Sequence, residues 1–290
     1  MIARHSIARS WLALEHTRWA LYWVGGLAAL WLWDLSHLNR PALEQIQQAM
    51  VNTLVAASAV VLMTLVLGWA VGTGLYFLES RTKRPAWLIL TFALNLIRSV
   101  PQMVGILAGY VVLTILIERE ILLSPPLQVL WMAWTITLFT FLELADVIRE
   151  RIEFYRRSDF FDAMLCCGIR ESRIVNREIL WKNSVAHVLQ KLIALFGMAI
   201  FLQCSIDFII SVGLSREVSL SNFPVTLGGL LATLDSKQDI LAISTVFTNP
   251  AYLERLLTTH LQGISVAFMI VFTLVCVYKV SNGIVRRYRL

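Results

Sequence analysis

Long apolar runs alternate along the chain with short polar stretches. Six such runs cover residues 19–33, 50–78, 86–117, 127–147, 185–212 and 263–280. A helix crosses about 30 Å of hydrocarbon with about 20 apolar residues, rising about 1.5 Å per residue, so each run predicts a membrane-spanning helix. The third is too long for one straight crossing. Pro101 lies in its middle, lacks an amide donor, and predicts a bend there. The glycines of the second run, Gly68, Gly72 and Gly74, are expected where another helix packs closely.

The polar intervals alternate in character. Residues 34–48 and 118–126 predict outer turns, and 79–85 a tight basic inner turn. Residues 213–262 form a long outer segment whose apolar pieces are too short to span, predicting short helices, one dipping back between the spans. Residues 1–18 carry Arg4, Arg9 and Arg18 among apolar residues and predict a segment lying on the inner surface. No small-residue cleavage site follows the first run before Asp34, so that run reads as an uncleaved anchor.

Composition sharpens this picture. Hydrophobic residues make up 58% of the chain, charged residues 15%, and the mean hydropathy is +0.69. These values define an all-α integral membrane protein of about six transmembrane helices rather than a soluble domain. The net charge of +6 reads as orientation, not as affinity for nucleic acid. In this topology 19 Lys and Arg residues fall on the inner side and five on the outer, with Arg98 set apart. That asymmetry predicts cytoplasmic termini. The four cysteines and five histidines are scattered without metal-ligand or disulfide spacing.

Two polar groups inside apolar runs are candidates for a solute pathway. The first is Arg98, with Ser99 and Pro101 beside it. An intramembrane guanidinium faces a bundle interior or a water-filled cavity, or else its stem reaches back to the headgroups, and both readings stand. The second is Gln203, Ser205 and Asp207 in the outer half of the fifth run, which line a pathway or bond one helix to another. Glu143 and Asp146 are expected to pair with Arg149, Arg151 or the loop arginines.

The interval 158–183 is the one long polar, basic interruption. Phe160 and Phe161 lead into Asp162-Ala163-Met164, three residues, Gly168, nine residues, and Glu178-Ile179-Leu180-Trp181. This predicts a helix capped by Ser158 or Asp159, a glycine stop, and a second helix on which Arg170, Arg173 and Arg177 form a basic face. The spacing resembles that of permease subunits of binding-protein-dependent ABC importers of the type I fold. Their cytoplasmic loop reads Glu-Ala-Ala, three residues, Gly, nine residues, Ile-x-Leu-Pro, and docks in a groove of the ATPase subunit. Asp162 stands for the Glu, and Ala163, Gly168 and Leu180 match; Met164, Glu178 and Trp181 depart. Residues 95–101, Asn-Leu-Ile-Arg-Ser-Val-Pro, are similar to the corresponding helix of the methionine and polar amino acid branches, where Arg-Ser-x-Pro recurs. The six spans and long outer segment are more similar to the peptide branch.

The resemblance covers roughly residues 50–290. It implies a core permease domain at 41–290 preceded by an extra segment and helix at 1–40. It further implies that Phe160, Phe161, Asp162, Ala163, Met164, Gly168 and Arg170 couple to ATPase subunits. ATP and Mg would sit on those partners, with no cofactor or metal on this chain. The expected partners are the ATPase subunits, a second permease chain, an extracytoplasmic solute-binding protein and lipids, in a bacterial inner membrane. The expected solute is a peptide or is amino-acid-like.

No phosphate-binding loop occurs, and no Gly is followed by Lys, so the chain is not itself the ATPase. No zinc-hydrolase or serine-hydrolase motif is present, which argues against an intramembrane enzyme. A secondary transporter or channel independent of ATP is the alternative; it would carry broken helices in matching halves, and Pro101 has no counterpart in the second half. A membrane-embedded scaffold is a third reading.

Overall fold

Two helices running in parallel form the spine of the molecule. In this computed structural model, which describes residues 15–80, 84–213, 223–233, 244–254 and 261–288, α2 (Arg40–Ser80) lies along α5 (Pro125–Arg156). Small residues permit the approach. A Cβ on Gly68 would sit 2.9 Å from Leu144, and one on Gly72 would sit 2.9 Å from Ile148, whereas Gly74 faces open space. The stripe expected from the sequence is thus Gly68 and Gly72 alone.

The other helices are α1 (Glu15–His37), α3 (Arg84–Ser99), α4 (Gln102–Glu118), α6 (Asp159–Cys166), α8 (Val185–Gly213), α9 (Leu227–Thr233) and α10 (Leu261–Tyr288). A wide helix, α7, joins Glu171–Arg173 to Ile174–Asn183. Of the described residues 91% are helical and none lies in a strand. Among them four helices are long and apolar enough to cross a membrane, namely Arg40–Glu79, Pro125–Arg156, Val185–Ile210 and Leu261–Ile284. The pair Pro85–Ser99 and Gln102–Glu118, bent by 90°, makes a fifth if the two are counted as one broken span. This is an all-helical membrane protein.

The sixth expected span, α1, falls short in apolarity rather than in length. Its 23 residues would reach about 34 Å, but Trp19, Tyr22, Trp23, Trp31, Trp33 and Asp34 dilute the hydropathy. It nevertheless lies antiparallel along α10. His16 meets Gly283, the Trp23 indole donates to Thr273 (3.0 Å), and Ser265 donates to Asp34 (2.6 Å). Asp34, expected to open a polar outer stretch, is fully buried in this seam. The start of α1 and the end of α10 therefore share one end of the bundle.

The bend at Pro101 is sharper than a kink. Pro101 is extended (φ −56°, ψ 129°) and begins α4, where Gly105 donates to its carbonyl. α4 runs antiparallel to α5, with Gly105 against Phe139 and Gly109 against Thr135. α3, perpendicular to α4, thus lies across the bundle. It buries Leu94 against Leu75, Phe141 and Leu142 and exposes Leu88, Ile89, Phe92 and Leu96.

One apolar core, built around Ile106, Tyr110, Met132, Ile136 and Ile206, fills the middle of the bundle and its α9 end. A second, around Ile148, Ile152, Phe161, Ile174 and Ile179, sits at the other end beneath α6 and α7. The predicted surface segment at 1–14, the basic turn at 81–83 and residues 214–222, 234–243 and 255–260 of the outer segment lie outside the described residues.

Candidate functional site

The interval 158–183 folds as a hairpin across the ends of α5 and α8. Ser158 sits at the start of α6 with an extended backbone, but its hydroxyl donates back to the Tyr155 carbonyl (2.6 Å) instead of capping the helix. Gly168 stops α6 in the left-handed region (φ +75°). Ile169 N–H donates to the Met164 carbonyl (3.2 Å) and Gly168 N–H to that of Leu165 (2.9 Å). This paired closure satisfies carbonyls that a helix end leaves free. Nothing lies within 4 Å of where a Gly168 Cβ would be, so the glycine is required by φ and not by space.

In α7 the buried pairs Ile174–Val175 and Ile179–Leu180 repeat after five residues. Five is the hydrogen-bond step of a π-helix, so the wide turn brings both pairs onto one face. The opposite face exposes Arg173, Arg177 and Trp181. Arg170 precedes α7 and is exposed, so it belongs to the turn and not to the helix. A hydrogen bond from Lys182 (2.7 Å) holds the Glu178 carboxyl below the ordinary carboxylate range.

Two bonds tie the hairpin to α2. Tyr76 donates to Glu171 (2.7 Å), and the Trp69 indole donates to Asn176 (2.9 Å). Sequence reasoning missed both acceptors, since neither stands out in a polar loop. On α6, Phe161 is buried in the second core while Phe160, Asp162, Ala163 and Leu165 are exposed, with Met164 between the two states. The Phe160–Phe161 pair therefore divides its work: one ring anchors, the other faces out.

Arg98 ends α3, at the 90° break between α3 and α4. Its guanidinium is about half exposed and pairs with Asp146 of α5. Beside it, Lys191 of α8 pairs with Glu143 of α5 (2.7 Å), and Gln102 donates to Glu143 (3.1 Å). The partners expected for Glu143 and Asp146 are elsewhere: Arg149 pairs with Glu79 (3.4 Å), and Arg151 donates to Ser184 (3.3 Å). Ser99 bonds the Leu96 carbonyl, and Pro101 only shapes the bend. Arg98, Glu143, Asp146 and Lys191 thus form one charged level near the hairpin end.

The second candidate group is a separate site. Asp207 lies 16 residues beyond Lys191 on α8, roughly 24 Å along the axis. Gln203 and Asp207, four residues apart, are both buried, whereas Ser205 on the other side of α8 is half-buried. The Asp207 carboxylate accepts from Thr226 (2.7 Å), which also receives the Gly229 N–H (3.1 Å) and so begins α9. Asn52 donates to the Val225 carbonyl (2.8 Å), and Leu227 N–H donates to Thr53 (3.0 Å). Gly228 lies so close to α8 that a Cβ would be 2.5 Å from Cys204 Cα. α9 is thereby seated between α2 and α8, the inward dip expected of the outer segment.

Beneath it is a cavity of about 180 Å³ lined by Asp207, Tyr110, Met132, Phe223, Thr226 and Leu230, among others. Neither Tyr110 nor Thr226 was legible as a site residue. Thr226 carried one signal, a capping residue directly before an apolar Leu-Gly-Gly run; Tyr110 carried none. Among the described residues no group of three His, Cys, Asp or Glu could hold a metal. No protein-family profile matches the chain, and no curated protein matches it significantly.

Proposed function

We propose that the chain is the transmembrane permease subunit of an ATP-driven importer of the type I fold. Its hairpin receives the push of cytoplasmic ATPase subunits, which bind the ATP and Mg. α1 is the sixth crossing, carried beside α10, and both termini lie in the cytoplasm of a bacterium whose inner membrane holds the protein. A second permease chain completes the pathway, an extracytoplasmic binding protein delivers the solute, and the solute is a peptide or is amino-acid-like.

One observation carries this reading. α6 is pinned from below by Phe161 yet presents Phe160, Asp162, Ala163 and Leu165 outward, and it stands between the ends of two helices that cross the bundle. Successive helical residues point about 100° apart, so Phe161 fixes α6 to the core while its other face stays open. Such a helix is suited to entering a groove on a partner.

Co-purification in detergent after mild crosslinking tests it, comparing wild type with Gly168→Asp and identifying bound chains by mass spectrometry. The expected result is a chain bearing a phosphate-binding loop, retained by wild type and lost from the variant. If no such chain accompanies either protein, the importer reading fails and transport independent of ATP replaces it.

A further inference from the structure

We propose that the cavity beneath α9 binds the protonated amine of a solute, with Asp207 as the ion partner and the Tyr110 hydroxyl as a second acceptor. Asp207 is 7% exposed and Tyr110 1%. The carboxylate receives one hydrogen bond, from Thr226, and no Lys, Arg or His among the described residues pairs with it. The Tyr110 hydroxyl lines the same cavity beside Asp207 and bonds no other group among the described residues. A buried carboxylate to which the described residues offer no cation, with only a buried phenol beside it, is unfavourable in a membrane-spanning bundle. Both groups are completed by one ligand that donates two or three hydrogen bonds and carries a positive charge.

The chemistry of the walls narrows the class. An anion is repelled by Asp207. Calcium and magnesium take six or more oxygen ligands, and the cavity supplies one carboxylate. Met132, Ile210, Phe223 and Leu230 give it apolar sides, which suit the carbon body of an amine better than the hydration shell of a small ion. The ligand is therefore a primary ammonium on a short apolar body, in a cavity whose lining includes the exposed Gln45.

The inference rests on the permease reading only in treating the amine as a transported solute. Binding is measured on the isolated chain without ATPase, so its failure leaves the hairpin test untouched. The probe is n-butylammonium, titrated calorimetrically into the purified full chain in detergent, with n-butanol and butyrate as neutral and anionic counterparts. Saturable binding of the ammonium alone is expected, weakened about tenfold or more in Asp207→Asn, since a hydrogen-bonded charge pair is lost. The carboxamide still accepts from Thr226, so α9 stays seated. Tyr110→Phe removes a hydroxyl whose one polar neighbour is Asp207, and it should weaken binding several-fold while the protein still folds, as its circular dichroism in detergent reads. Absence of ammonium binding, equal binding of n-butanol, or undiminished affinity in both variants overturns the proposal.

Discussion

Gly228→Ala is the sharpest test of how α9 is held. The added Cβ would fall 2.5 Å from Cys204 Cα and 2.6 Å from its carbonyl oxygen. Both are backbone atoms in the middle of α8, so no side chain can swing aside. Ordinary contact begins at 3.4 Å, and α9 must retreat by about 0.9 Å to reach it. A retreat of that size taken along the Thr226–Asp207 hydrogen bond would stretch it from 2.7 Å to beyond hydrogen-bonding range. Overpacking of this kind costs about 1–3 kcal/mol, and loss of a hydrogen bond to a carboxylate adds about 1.5–3 kcal/mol. The expected outcome is a clear fall in melting temperature in detergent, with faster maleimide labelling of Cys204, now 8% exposed. Gly74→Ala is the control, because nothing lies within 4 Å of its Cβ and alanine favours a helix by about 0.5–1 kcal/mol. If Gly228→Ala matches Gly74→Ala in both stability and labelling, α9 is not seated on α8 as described.

Other substitutions probe the hairpin and the charged level. Gly168→Val should loosen the hairpin by about 1–2 kcal/mol through its left-handed backbone, while Gly168→Asn is tolerated; hydrogen exchange of residues 164–169 reads the difference. Glu120 closes α4 in the same way at φ 57° without being glycine, so Glu120→Gly should raise the melting temperature by a strain relief of similar size. Phe161→Ala should destabilise by about 3–5 kcal/mol, and Phe160→Ala should change thermal unfolding little. Glu143→Gln should cost more than Asp146→Asn in chemical denaturation. It leaves Lys191 about one-quarter exposed without its partner, whereas the Arg98–Asp146 pair is half in solvent and contributes about 0–1 kcal/mol.

The parts of this fold legible in the sequence are those fixed by local chemistry. The run at 185–212 predicts α8 almost to the residue. Pro101 and Gly168 mark a bend and a stop because each restricts or frees its own backbone. Helix ends defined by polar residues were not legible. α2 begins at Arg40 rather than near residue 50, and α5 continues to Arg156, because Ile148 and Ile152 are buried by the hairpin. Hydropathy registers lipid, not a cover of other protein. The same limit explains Asp34, a charge that reads as exterior until Ser265, 231 residues away, is known to bond it. Of the candidate site, Asp207 stood out as a carboxylate in an apolar run, but Tyr110 and Thr226 reach it only through the bundle. For Arg98, sequence separation converts to distance along the bundle only where the helix runs with it, and α3 turns 90° from α4.

The hairpin and the cavity are joined by one continuous helix, and the leverage this creates can be reckoned. Asp207 lies 22 residues beyond Val185, the first residue of α8, or roughly 33 Å from the hairpin. If α8 turns about its hairpin end by 5°, the Asp207 carboxylate sweeps roughly 3 Å over that arm. Atoms about 6 Å from the pivot, among them those packed around Phe161, shift by roughly 0.5 Å in the same motion, within what a close-packed core absorbs by small adjustments. Where the bonds from Asn52 and to Thr53 hold α9 to α2, the 2.7 Å bond from Thr226 does not survive the larger displacement. A tilt too slight to unpack one end of the bundle is thus enough to unlatch the other.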